Sequence, residues 1–262
     1  MAQVFDKRKL ILLTNDDGID AEGLRAARRS LAGAARVVVF APRSERSGAS
    51  HSFSLRKPLE VVWRDADTVS VDGTPTDCVM LAVRGLLPRK PDLVVSGINH
   101  GPNLGDDVTY SGTVAAAMEG TLLGIPSIAC SVTDWRRSRF QVAAKFLGIL
   151  ATQVLRRGLP RNTLLNVNVP NLPRRRIRGV RFTRLGKRIY RDVVVKRTDP
   201  QGRTFYSIDG EDPGWKREPE TDFAAIEEDM ISVTPFHLDL THHAAVQRLM
   251  TWEKPLFREL RA

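Results

Sequence analysis

Long hydrophobic runs are missing from this chain of 262 residues. No stretch approaches the ~18 consecutive apolar residues of a membrane-spanning helix. The apolar run at residues 10–13, behind a short basic tail, is too brief for the core of a signal peptide. A soluble, cytoplasmic protein without a membrane partner is the reading. Cysteine is nearly absent. Cys78 and Cys130 are the only two, far apart and each in apolar company. That argues against a disulfide framework or a zinc knuckle and fits buried thiols. Two familiar nucleotide loops are also lacking: there is no Gly-x-x-x-x-Gly-Lys, and no Gly-x-Gly-x-x-Gly follows the first strand. Acidic residues are in deficit, 30 against 40 basic ones, for a net charge of +10. Such a balance favours anionic partners. The excess gathers in Pro173-Arg174-Arg175-Arg176-Ile177-Arg178 and on through Arg181, Arg184, Lys187, Arg188 and Arg191. A nucleic-acid patch would interleave exposed aromatics with the cations, and here only Phe182 and Tyr190 occur. The segment reads as a solvated strand face, and no stable nucleic-acid partner is expected.

What is present alternates. Apolar strands at 10–14, 36–40, 92–96, 127–132 and 164–169 are separated by helical patterns at 21–31, 76–87, 111–123 and 139–156. Short strands at 59–63 and 68–71 suit a hairpin. Strand 92–96 is apolar on both faces, the mark of a buried parallel strand. The βαβα rhythm predicts an α/β fold, a Rossmann-like and mostly parallel sheet with helices on both faces. Residues 1–170 form the expected catalytic core. Residues 171–262 are expected to add a β-rich hairpin arm over 173–206, a strand at 231–235 returning to the sheet, and a terminal helix over 242–260 interrupted at Pro255, all within the same unit and suited to oligomerisation.

The chemistry is concentrated where presumed parallel strands end. The first strand runs straight into Asn15-Asp16-Asp17-Gly18. In open α/β sheets ligands bind outside the carboxyl ends of the strands. Two adjacent carboxylates repel unless a cation sits between them, and hard oxygen ligands suit Mg²⁺, Mn²⁺ or Ca²⁺. Three more loops rich in glycine and oxygen ligands follow: residues 42–50 with Ser47 and Gly48, residues 96–107 with Asn99 and Asn103, and Tyr110-Ser111-Gly112-Thr113. The last opens a helix and offers free N–H groups, two hydroxyls and the positive end of the helix dipole to a phosphate. Each loop alone is compatible with ordinary turn chemistry; four converging on one sheet edge are not explained that way. His51 and His100 read as neighbours of the site. The run Phe236-His237-Leu238-Asp239-Leu240-Thr241-His242-His243 matches no standard metal spacing and reads as packing or surface.

These stretches carry a resemblance. Leu12-Leu13-Thr14-Asn15-Asp16-Asp17-Gly18, Arg46-Ser47-Gly48-Ala49-Ser50, Gly73-Thr74-Pro75-Thr76-Asp77-Cys78, Ser96-Gly97-Ile98-Asn99 with Gly101-Pro102-Asn103-Leu104-Gly105, and Tyr110-Ser111-Gly112-Thr113-Val114-Ala115 stand in the order found in the SurE (survival protein E) nucleotidases, which the chain resembles from about residue 9 to about residue 243. The resemblance implies a metal-dependent phosphatase, a 5′-nucleotidase of acid-phosphatase type, acting on nucleoside 5′- and 3′-monophosphates and on short polyphosphate. It implies one divalent ion per subunit, Mg²⁺ or Mn²⁺, held by Asp16, Asp17, Ser47 and Asn99. Asp16, Asp17 and Asn15 become the catalytic group, and Gly48, Asn103, Ser111, Gly112 and Thr113, with Asn15, the phosphate pocket. A homodimer or homotetramer is implied as well. Two other readings stay open: transfer through an aspartyl-phosphate on Asp16 or Asp17, and a non-catalytic nucleotide or nucleic-acid binding module using the basic arm.

Overall fold

The structure is a computed structural model and describes residues 9–189, 192–210 and 214–262. The basic N-terminal tail through Arg8, Tyr190 and Arg191 of the Arg-rich stretch, and residues 211–213 lie outside the described residues. In chain order the elements are β1 (Leu10–Thr14), α1 (Glu22–Leu31), β2 (Arg36–Pro42), β3 (Val61–Asp65), β4 (Thr68–Val71), α2 (Pro75–Leu81), β5 (Leu93–His100), α3 (Gly112–Leu122), β6 (Ser127–Val132), α4 (Phe140–Arg157) and β7 (Thr163–Val169). Then come β8 (Gly179–Phe182), β9 (Arg188–Ile189), β10 (Asp192–Thr198), β11 (Thr204–Gly210), β12 (Gly214–Trp215), α5 (Asp222–Glu227), β13 (Met230–His237), α6 (His243–Leu249) and α7 (Glu253–Leu260). One sheet of nine strands has the order β3-β4-β2-β1-β5-β6-β7-β13-β8. Every neighbouring pair in it is parallel except β3–β4 and β7–β13.

Alternation along β1 shows why the sheet is covered on both sides. Ile11 and Leu13 point into a core built with Leu24, Ala27 and Leu31 of α1 and Phe140, Ala143 and Leu147 of α4. Leu10 and Leu12 point the other way, into a core with Cys78 and Val79 of α2 and Ala116 of α3. A strand buried on both faces reads as an unbroken apolar run, as residues 10–13 of β1 and 93–95 of β5 do. Both cysteines are free and buried. Among the described residues no helix is long and apolar enough to cross a membrane.

From β1 the chain winds outward through β2, then returns to lay β5 on the other side of β1. The winding direction therefore reverses between β1 and β5, and a crevice opens at their carboxyl ends where the following loops diverge.

The strand expected at 231–235 does return to the sheet: β13 pairs antiparallel with β7. The rest of the second half differs from expectation in three places. β8, expected within the arm, lies parallel to β13 as the sheet's edge, and the hairpin itself is β10–β11. The terminal segment is two helices, broken by a 3₁₀ turn at Met250–Trp252 ahead of Pro255. Pro255 stands in the first turn of α7, where a missing N–H costs no helical bond. Helix α5 follows the polar loop with no helical pattern to announce it; Thr221 caps it by accepting from Ala224 N. In the first half, the helix expected over 76–87 widens after Leu81 into a single π turn, Ala82–Leu86.

Candidate active site

At the β1–β5 crevice the chain builds a cleft of about 260 Å³, lined by Asp16, Ser47, Gly48, Asn99, Pro102, Asn103, Asp107, Tyr110, Ser111 and Trp135. Six residues singled out in the sequence thus share one wall system. Four others stand just behind it. Thr113 donates its hydroxyl to Asp16 Oδ1. Gly112 packs on the same carboxylate: a Cβ there would come within 2.9 Å of Asp16 Oδ2, so only glycine lets the start of α3 approach. Asp17 is half-buried beside Asp16, and its carboxylate accepts the backbone N–H of His100. Asn15 is buried and donates to Gly18 O at 2.9 Å. That bond closes the loop after β1, so the structure gives Asn15 a loop-closing contact rather than a place on the cleft wall.

The other walls are equally built in. Asn99 donates its amide to Gly101 O at 2.9 Å, which leaves its carbonyl oxygen for the cleft. Asn103 is clamped by asparagines of β7: its N–H donates to Asn168 Oδ1 at 2.8 Å, and its carbonyl accepts from Asn166 Nδ2 and Asn168 Nδ2 at 2.8 and 2.9 Å. Its own amide donates to Ser131 Oγ at 2.8 Å. The loop bearing Ser47 and Gly48 is pinned by Arg46 N to Asp16 O at 2.7 Å and by Ser50 N to Tyr110 O at 3.1 Å. Ser111 caps α3 by accepting from Val114 N at 3.1 Å.

Sequence reasoning did not find Asn166, Asn168 or Trp135. The first two had a signal, amides at every second position of an otherwise apolar, doubly buried strand. Trp135 sits in a polar loop and had none. His100 is not a cleft residue. It spends Nδ1 on Ser138 Oγ at 2.7 Å and Nε2 on Trp135 O. The histidines near the C-terminus are occupied with local bonds: His242 Nδ1 accepts from Ala245 N at 3.0 Å, and His243 pairs with Asp239 at 2.6 Å. No group of three or more His, Cys, Asp or Glu able to hold a metal occurs among the described residues.

Electrostatics ask for a cation at the aspartates. Burial drives the Asp16 carboxyl above its usual range, with nearby Glu45 adding to the effect. Burial and the adjacent Asp16 push Asp17 up to about 7. A hard divalent ion fits what is present. The donor set is two carboxylates, the Asn99 carbonyl and the Ser47 hydroxyl, all of them oxygens of the kind such an ion takes.

A family profile described as survival protein SurE matches residues 11–192. The chain belongs to the SurE family. Among its relatives, the 5′-nucleotidase SurE of Geobacter sulfurreducens is 50% identical over 244 residues, 93% of each chain. That of Symbiobacterium thermophilum is 49% identical over 250 residues, covering 93% of this chain and 98% of the relative. The crystal structure of the SurE protein from Aquifex aeolicus superimposes with a TM-score of 0.83 at 47% identity, covering 94% of this chain and 99% of that one. The mixed sheet and the terminal helices are therefore those of a SurE fold.

The raised carboxyls would make binding of a metal ion at this site a proton-releasing event. In the metal-free protein Asp17 binds its proton more tightly folded than unfolded, with a folded value of about 7 against 3.8. It therefore favours the fold at low pH, and that contribution is lost as pH climbs toward 7 and above. A bound cation must displace the proton. Calorimetric titration with Mg²⁺ at pH 6 in two buffers of different ionisation enthalpy should give different apparent heats, and affinity should rise from pH 6 to pH 8. Equal heats and a pH-independent affinity would contradict this electrostatic picture.

Proposed function

We propose that this chain is a metal-dependent phosphomonoesterase that hydrolyses nucleoside 5′- and 3′-monophosphates to nucleoside and phosphate, with short polyphosphate as a further substrate. The observation that carries the reading is the meeting, at one cleft, of Asp16, with Asp17 beside it, and the start of α3. A carboxylate pair that needs a cation lies against the positive end of a helix dipole, which draws an anion. The names of the 5′-nucleotidase relatives supply the substrate class.

Asp16, Asp17, Asn99 and Ser47 would hold one Mg²⁺ or Mn²⁺. When bound, such an ion polarises a phosphoryl oxygen and lowers the pKa of coordinated water. The protein's own groups do the rest. Thr113 holds Asp16 Oδ1 in place. The start of α3 at Gly112, the Ser111 hydroxyl and the Asn103 amide take the phosphoryl oxygens, and the backbone at Gly48 closes over them. Asp17, at the edge of the pair, orients the attacking water. Water adds its oxygen to phosphorus, the ester P–O bond breaks, and one of the water's protons passes to the departing nucleoside oxygen, giving nucleoside and hydrogen phosphate.

The binding-module reading loses support in the basic segment. Arg181, Arg184 and Arg188 are paired with Glu228, Glu218 and Asp107 of the same chain instead of presenting free cations to a polyanion. For assembly, we infer a homodimer or homotetramer. The apolar residues Leu249, Trp252, Leu256, Phe257 and Leu260 of the two terminal helices and the turn between them are all exposed, an unusual concentration for a monomer. Light scattering that shows monomer alone would count against it.

The test of function is inorganic phosphate release from AMP at neutral pH. With Mg²⁺ or Mn²⁺ the protein should release phosphate, excess EDTA should stop it, and metal added back should restore it. No release from folded protein under either condition would overturn the proposal.

A further inference from the structure

An exposed tryptophan at the mouth of a polar cleft needs explaining, because nothing in the fold requires it there. Trp135 lines the same cleft as Asp16 and Ser111, yet it is 64% exposed. Its backbone is anything but loose. Trp135 O accepts from His100 Nε2, and the loop is closed by Asp134, whose Oδ1 accepts Arg136 N at 2.7 Å and Arg137 N at 3.1 Å. Asn171 Nδ2 donates to the other Asp134 oxygen at 2.6 Å, and Ser138 Oγ donates to Asp134 O at 2.8 Å. The indole is also seated. Gly101 adopts φ +110°, and a Cβ on it would collide with the six-membered ring of Trp135. The ring thus lies flat against bare backbone, one face supported and the other turned to solvent. Tyr110, 62% exposed, lines the same cleft, its backbone held by Asp107 O and Ser50 N.

We infer that Trp135 is the base platform of this site: the nucleobase stacks on its free face while the phosphate sits at the aspartate pair, with Tyr110 as a second aromatic wall. The inference rests on the nucleotide reading above and makes it more specific. Stacking uses the π-face that every base has, so it tolerates all four bases and favours the larger purines. Stacking does not read the hydrogen-bonding edge of a base, so the site takes nucleoside monophosphates as a class, purines ahead of pyrimidines. Trp135 is then a specificity residue, acting on binding more than on the chemical step.

The test compares AMP with ribose 5-phosphate, which has the same phosphate and sugar but no base, in wild type, Trp135→Ala and Trp135→Phe. Wild type should prefer AMP in kcat/KM. Trp135→Ala should lower the AMP to ribose 5-phosphate ratio about tenfold, mainly through the KM for AMP, and Trp135→Phe should keep most of it. An unchanged ratio in Trp135→Ala, or wild type that hydrolyses both equally, would overturn the platform and leave the phosphatase reading standing. Calorimetric binding of AMP in EDTA provides a readout that needs no turnover. AMP binding weakened about tenfold by Trp135→Ala supports the platform even if neither ester is hydrolysed, an outcome that would sink the phosphatase reading alone. AMP binding equal in both proteins, or absent from wild type, would overturn the platform.

Discussion

Asp16→Asn removes phosphate release from AMP almost entirely, by on the order of a thousandfold in kcat, and leaves the fold intact. Asp16 is 3% exposed, bonded by Thr113 and faced by Asp17 and Glu45. Asparagine keeps its size and keeps an oxygen for the Thr113 hydroxyl. What disappears is the charge, and with it the site's hold on a divalent ion. A lost ion takes away several kcal/mol of transition-state stabilisation, where each ~1.4 kcal/mol is a factor of ten. The metal-free fold should not suffer, since a buried charge with like-charged neighbours is removed. Steady-state kinetics beside a thermal melt in EDTA checks both halves. Activity within tenfold of wild type, or a melting temperature well below it, would contradict this account of Asp16.

The largest stability effect is expected far from the chemistry, at Asp222. This carboxylate is fully buried and accepts three backbone N–H groups, from Gly105 at 2.7 Å, Gly186 at 2.8 Å and Phe223 at 3.0 Å. It ties together the cleft loop, the segment after β8 and helix α5. Asp222→Ala leaves those donors buried and without a partner. An orphaned buried donor costs ~1–3 kcal/mol, and since relaxation recovers part of three such losses, about 3–5 kcal/mol is expected. For a chain of this size that lowers the melting temperature by roughly 10 °C. Phosphate release should fall as well, because Gly105 anchors the loop that carries Asn103 and Tyr110. A calorimetric scan showing a shift under about 2 °C would mean that the three N–H groups find other partners.

How much of this could be read from the chain alone varies with the physics of each element. Strands β1, β5 and β6 were legible because burial on both faces forces unbroken apolar runs. The loops after them were legible because carboxylates, glycines and small hydroxyls have no other reason to cluster at strand ends. Clustering by sequence could not show the division of labour: Asp16 faces the cleft, while Asn15 closes the loop behind it and Thr113 reaches back to Asp16. Helix α5 escaped because six residues are too few to show a 3.6-residue period. The break between α6 and α7 was misplaced because Pro255 looks like an interruption, although a first helical turn accepts proline freely. Trp135 was invisible for a different reason. Its role depends on Gly101, just past the end of β5, and only the parallel pairing of β5 with β6 brings the two together.

The proposed chemistry stands or falls on whether the cleft at Asp16 and Asp17 holds a metal ion. Anomalous scattering from crystals grown with Mn²⁺ and phosphate should show one manganese per subunit, coordinated by Asp16, Asp17, Asn99 and Ser47, with the phosphate between it and the start of α3. Manganese bound elsewhere, or an empty cleft in crystals of protein that is active with Mn²⁺, would contradict that chemistry.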